Sequence, residues 1–333
     1  MSKNIFIHKR ARYKLPYLSH KLFYQEYGMR WSLFYVYNLQ LLKDLYLILK
    51  ETGFVNLESF TQKCIRDFNL NNIHKNITDR FIYEYLHALK VVDLIKNNYT
   101  INNNNFFKDS KIGERLKNQD IQDLKFIFFD YPRFKEIIYW FFLSKQKNTN
   151  VISQKITEKQ VREESSVIYS FSLNGRFTDS FIFKLDETSP IYKINDEDKD
   201  FMRFWDVFLK WGQTIGLLQR LNLKDIGYNV YEYNRDLKCI YFLKDINDDF
   251  DLLSYIKKNY KSHYIFIPNL IFNIAKSFRY PLKDINNIII SQSKKYKHEI
   301  SLQRTSKKFV QDFNNLDFFL FLNNTYYSHI LLL

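Results

Sequence analysis

Few residues of this chain carry side chains suited to catalysis, and they are scattered. The two cysteines, Cys64 and Cys239, sit far apart in apolar stretches, too few for a disulfide framework or a Cys-based zinc cage. The seven histidines, His8, His20, His74, His87, His263, His298 and His329, show no H-E-x-x-H and no paired metal spacing, so they read as isolated core or surface residues. No G-x-x-x-x-G-K-[ST] occurs, and seven dispersed glycines leave no phosphate-cradling loop, which argues against nucleotide hydrolysis. Three weak patterns remain. Asp236-Leu237-Lys238, with Asp225 upstream, offers carboxylates for Mg²⁺ and a lysine to steady an attacking water, although a solvated strand end accounts for it better. Arg80 and His87 place a cation and a general base on one helix. Glu197, Asp198 and Asp200 read as an acidic linker more readily than as a cation site. No catalytic residue, metal ligand or cofactor is assigned, and the chain is expected not to be an enzyme.

Cation placement is the stronger signal. The segment from Lys294 to Lys308 holds Lys294, Lys295, Lys297, Arg304, Lys307 and Lys308 against Glu299 alone. Such a set can hold phosphates on either side of a groove. A basic N-terminal arm carries Lys9, Arg10, Arg12 and Lys14, suited to minor-groove or non-specific contact. A third group, Arg80 and Lys90 with Tyr83 and His87, lies on one helix, but Asp79 and Glu84 make that helix nearly neutral. Acidic stretches at 186–200 and 245–251 alternate with these clusters and read as solvated linkers.

The elements that must position these residues follow from periodicity. Leu39, Leu42, Leu45, Tyr46 and Leu49 recur at helical spacing and Gly53 closes the run. Asn56 caps a second helix with Phe60, Cys64 and Phe68 inward, and 69–76 is a polar break. Thr78 caps a third, whose buried stripe is Phe81, Ile82, Tyr85, Leu86, Leu89 and Val92. Leu94, Ile95, Tyr99 and Ile101 then suit a short strand pair. The middle of the chain predicts an apolar helix at 134–143, alternating strands near 168–183, a Trp-containing helix at 201–221 and a hairpin at 228–243. In the C-terminal part Asn269 is expected to cap one helix and Pro281 to open another. An alternating segment at 299–303 follows, and then two strands meet at Asn323-Asn324.

Three helices followed by a β-hairpin is the order of the winged-helix superfamily. The segment from about Asn38 to Leu116 resembles that fold, with "LHALKVVDLIKNNYTI" in the place of a recognition helix running into its wing. The C-terminal part repeats the order without repeating the sequence. The expected fold class is therefore α+β and helix-rich, a tandem of winged-helix-like domains. Its parts are a basic arm and lead-in at 1–37, a first unit at 38–118, a middle helix-plus-hairpin region at 119–245 and a last unit at 246–333. The resemblance implies double-stranded DNA as the partner. The Arg80 and His87 spacing is similar to the R-x-x-x-x-x-x-H of HEPN ribonucleases, but Phe81 stands where those enzymes usually carry a polar residue.

Composition bounds the rest. The 333 residues carry 50 Lys plus Arg against 36 Asp plus Glu, a formal charge of +14. Scarce Ala and Gly beside abundant Asn, Ile, Lys, Phe and Tyr point to AT-rich coding, which supplies lysine without selection, so cluster position outweighs net charge. With 46% apolar residues and 32 Phe the chain has ample core material. Its apolar runs are too short to span a bilayer, no secretory signal is visible, and two cysteines suit a reducing cytoplasm. The expectation is a DNA-binding protein of a prokaryote or mobile element, working in a defence or replication complex with other subunits. The alternatives are an interaction scaffold and a metal-dependent or HEPN-like nuclease.

Overall fold

Side-chain caps set the helices at the start of the chain. The computed structural model describes residues 13–14, 33, 35–74, 77–102, 104–143, 155–173, 179–183, 191–193, 199–222, 238–246, 249–311 and 318–333. Helix α1 (Leu39–Thr52) follows Asn38, whose side chain accepts from Leu41 N, and stops at Gly53 with φ of 68°. Helix α2 (Leu57–Arg66) is capped by Asn56, and α4 (Asp79–Val91) by Thr78, as their spacing predicts. The polar break between them holds one helical turn, α3 (Leu70–Ile73). The strand pair expected after α4 shrinks to a single antiparallel bridge, Ile95 to Ile101. Hydrogen bonds from Lys96 N to Thr100 O and from Tyr99 N to Lys96 O close the intervening loop too tightly for a longer ladder.

The middle of the chain departs further from its local pattern. Helix α5 (Asn118–Asp130) occupies a segment that periodicity left unassigned. Helix α6 (Pro132–Ile137) runs into a π-helix, Ile138–Leu143, which together form the expected apolar helix. After α7 (Glu158–Glu164), the strands β2 (Ile168–Leu173), β3 (Asp179–Phe183) and β4 (Ile191–Lys193) make a meander. Helix α8 (Lys199–Thr214) ends earlier than predicted, because Gly216 takes a positive φ of 71° and β5 (Leu218–Asn222) begins. Strand β6 (Lys238–Phe242) pairs with β5, so the hairpin expected at 228–243 joins different segments; residues 223–237 lie outside the described residues.

These strands form a six-stranded sheet in the order β1-β4-β3-β2-β6-β5, where β1 (Tyr13–Lys14) pairs in parallel with β4. Successive side chains of a strand face opposite ways, and β6 uses this to serve two cores. Ile240 and Phe242 join a first core that runs from Leu33 through α1 to α8, while Cys239 and Tyr241 join a second one built by the C-terminal part. The first core crosses the expected 118/119 boundary without a break. Aromatic contacts tie α5, α6 and the π-helix to α8, among them Phe128 to Phe208 at 5.1 Å and Phe142 to Phe242, on β6, at 4.7 Å.

The second core lies within α9 (Leu252–Asn259), β7 (Tyr264–Phe266), α10 (Ile267–Phe278), α11 (Leu282–Lys295), β8 (Ile300–Thr305), α12 (Lys307–Gln311), β9 (Leu320–Leu322) and β10 (Thr325–Leu332). Strand β10 is central, with β8 on one side and β7 and β9 on the other, all antiparallel. The turn between β9 and β10 is the predicted Asn323-Asn324, both at positive φ, as a tight hairpin turn demands. Asn269 is not the cap of α10: that helix opens two residues earlier at Ile267-Pro268, because proline's fixed φ suits a first helical turn. Arg279, at φ of 61°, ends α10 and sends its buried guanidinium to Ser165 Oγ and to the carbonyls of Arg162 and Glu163 at the end of α7. A cation there complements the negative end of the helix dipole, and burial holds its pKa down at about 10. The described chain is thus a mixed α+β structure, and no helix in it is long and apolar enough to cross a membrane.

Candidate nucleic-acid interface

The candidate cations fall into three groups with different fates. Lys294 and Lys295 close α11 and Lys297 lies in the turn after it, all three exposed. Arg304 is exposed near the end of β8, and Lys307 and Lys308 begin α12. Lysines at a helix start oppose its dipole, so the fold gains nothing from them there. None of the six forms an ion pair among the described residues; Lys295 rests over its neighbour Tyr296, 4.9 Å from the ring centre. The six run from the end of α11 through β8 to the start of α12, with Arg304 within the strand itself. Ile300 and Leu302 on β8 face the second core, and alternation puts Arg304 on that same side, the side of α11.

Helix α11 also presents residues that charge counting passed over. Lys283, Asn287, Ser291 and Lys294 are exposed and recur every three or four positions, so they line one face, while Leu282, Ile285 and Ile289 are buried on the other. Asp284, half-buried in the first turn, borders this face by helical spacing, three residues before Asn287 and seven before Ser291. Amide, hydroxyl and ammonium groups are the ones that read base edges in a major groove. The exposed complement of the buried Leu282, Ile285 and Ile289 stripe was the sequence signal for it.

Helix α4 is the contrasting case. Arg80 and His87 are both exposed, but seven positions at 1.5 Å separate them by about 10 Å along the axis. His87 stacks instead on Tyr83, with ring centres 6.4 Å apart. Lys90 is half-buried and its ammonium lies 3.3 Å from the ring centre of Tyr99. That cation is held against the ring face. Of the N-terminal arm, Lys9, Arg10 and Arg12 lie outside the described residues, and the backbone of Lys14 pairs with Lys193 in the sheet.

Among the described residues no three His, Cys, Asp or Glu side chains gather as a metal site. Asp225, Asp236, Glu197 and Asp198 lie outside the described residues, and nothing is described of the Asp200 side chain. Lys238 opens β6, where it and Arg220 act on Asp206 of α8; burial nevertheless holds that carboxyl above its usual pKa.

One buried ionic cluster escaped sequence reasoning. Lys43 and Asp44, adjacent on α1, are both fully buried. The Lys43 ammonium lies 3.2 Å from Asp44 Oδ1 and donates to Lys111 O at 3.0 Å and Glu114 O at 2.6 Å, which satisfies all three of its protons. Asp44 also accepts from Gly113 N and from His74 Nε2 at 2.9 Å. The Asn38 amide nitrogen lies 3.1 Å from His74 Nδ1, while its oxygen accepts from Leu41 N and caps α1. The cluster pins the 111–114 loop to α1, with Gly113 at φ of 81°. Only the adjacency Lys43-Asp44 within an apolar-periodic run hinted at it.

Comparison of the chain with protein-family models, with curated proteins and with solved structures finds no match.

Proposed function

We propose that the chain is a non-enzymatic protein of tandem winged-helix type that binds double-stranded DNA through its C-terminal unit. The observation that carries the reading is the face of α11: Lys283, Asn287, Ser291 and Lys294 exposed in one line and flanked by exposed cations at both ends of β8. The order helix, strand, two helices and a returning strand pair, with β7 closing the sheet beside β10, supports the winged-helix assignment of this unit. On this reading α11 enters the major groove, about 12 Å wide, and the two cation sets grip phosphates on its two walls. Helices α1, α2 and α4 with the single bridge after them form the first, DNA-indifferent unit.

The test is an electrophoretic mobility shift of the full chain on a duplex at two salt concentrations. The wild type gives a shift that weakens steeply with salt. Lys294→Glu combined with Lys295→Glu weakens binding at least tenfold and flattens the salt dependence by about two ions. A duplex affinity unchanged by that pair sinks the proposal. The second reading, an interaction scaffold, is favoured by Phe126, which is 62% exposed on α5 and borders two surface hollows, one with Val92 and Pro132, the other with Ile156 and Thr157.

A further inference from the structure

The sheet of the C-terminal unit has a second face. Ile265 on β7 and Ile330 on β10 point into the second core, so their neighbours Tyr264 and His329 point out of the opposite side, while Phe266 at the end of β7 packs on the edge of that core. The three form a column of rings. Phe266 lies 5.1 Å from His329, and His329 stacks on Tyr264 with centres 4.4 Å apart and planes within 18°. Ser328 Oγ lies 2.9 Å from His329 Nδ1, and Gln303 pairs with His329 across the strands. The column therefore has a packed end at Phe266, which touches Phe319, and an open end at Tyr264, which is 53% exposed.

The approach to that open end is basic. The chain entering β7 reads Lys257-Lys258-Asn259-Tyr260-Lys261-Ser262-His263, with Lys258, Lys261 and His263 exposed. The nearby carboxylate, Glu299, is already paired with Lys257 at 2.6 Å. An exposed planar ring beside unpaired cations matches a flat aromatic group joined to phosphate. Bases stack on aromatic side chains with little regard for sequence, and lysines track the backbone beside them.

We propose that this outer face binds single-stranded nucleic acid, with an unpaired base continuing the Phe266, His329 and Tyr264 stack and its flanking phosphates held by Lys258 and Lys261. The site is separate from the α11 surface, on the other side of the same sheet, and does not depend on duplex binding.

The experiment measures fluorescence anisotropy of the full chain with a labelled twenty-nucleotide oligo-dT and, in parallel, a labelled duplex. Tyr264→Ala is expected to weaken oligo-dT binding about tenfold, and Tyr264→Phe, which keeps the ring, to stay within about twofold. Lys258→Glu with Lys261→Glu gives a loss comparable to that of Tyr264→Ala. Duplex affinity is unchanged by all three, whereas Lys294→Glu with Lys295→Glu has the reverse selectivity. Absence of oligo-dT binding by the wild type overturns the proposal, as does a Tyr264→Ala chain that binds it normally. An equal loss for Tyr264→Ala and Tyr264→Phe also overturns it, since the ring would then not be the contact. Displacement of oligo-dT by a proline-rich peptide but not by unlabelled oligonucleotide would assign the face to protein instead.

Discussion

The first and last units share an order of elements but use charge in opposite ways. The first buries Lys43 and Asp44 in its core and ties them to His74 and the 111–114 loop. On its third long helix, α4, Lys90 is spent on Tyr99. The last unit has a second core made of apolar and aromatic side chains, and Lys294, Lys295, Lys297, Lys307 and Lys308 form no ion pair among the described residues. Charge enclosed by a fold holds parts of that fold together. Charge left outside, with nothing in the chain to neutralise it, is available to a polyanion. Two units of similar order can thus be a support and a reader.

The largest expected effect breaks the support. Asp44→Ala leaves the Lys43 ammonium buried without its counter-ion and should cost about 3–5 kcal/mol, read from urea unfolding. Truncating surface Lys294 to Ala should stay within about 0.5 kcal/mol in the same assay. Similar costs for the two would erase the distinction.

A smaller effect sharpens the reader. Arg80→Glu on α4 should change duplex affinity by less than about twofold, because on the proposed reading that helix does not meet phosphate. A loss as large as that of the α11 pair would make both units readers.

The smallest concerns the seam between the units. Burial works against the Glu158 carboxylate, but hydrogen bonds from Lys125 and Arg162 more than offset it and hold its pKa below the usual 4.5. A depressed acid pKa stabilises the fold above 4.5, and that contribution is lost as pH falls through the folded value. Glu158→Gln should therefore lower stability at neutral pH by under about 1 kcal/mol and flatten the acid limb by the same amount, the difference from wild type vanishing below the folded pKa. A Gln variant with an unaltered acid limb would show that Arg162, which also reaches Leu243 O and Asp245, holds the seam unaided.

Legibility followed the range of the interactions. Asn56 and Thr78 mark their helices because a cap is a contact between residues three apart. The Asn323-Asn324 turn was equally local. Helix α5 was obscured because Phe126 and Phe129 sit on the face opposite Leu124, Ile127 and Phe128, which blurs its apolar stripe. The partner of β6 could not be read, since Lys238–Phe242 alternates with or without knowledge of β5. Of the candidate interface, the lysine clusters were visible as composition. The face of Lys283, Asn287 and Ser291 needed the helix to be oriented, and the ring column needed β7 and β10 to be paired in register.

That β6 sends alternate side chains into two cores carries a mechanical consequence. A strand with no solvent-facing side has no slack, because any shift that improves its fit to Phe142 on one side moves Cys239 and Tyr241 on the other. Tyr241 also holds Tyr280 O at 3.3 Å, two residues beyond the end of α10. A load applied to the C-terminal unit is therefore passed straight into the aromatic packing beneath the large sheet, so the two halves deform as one body.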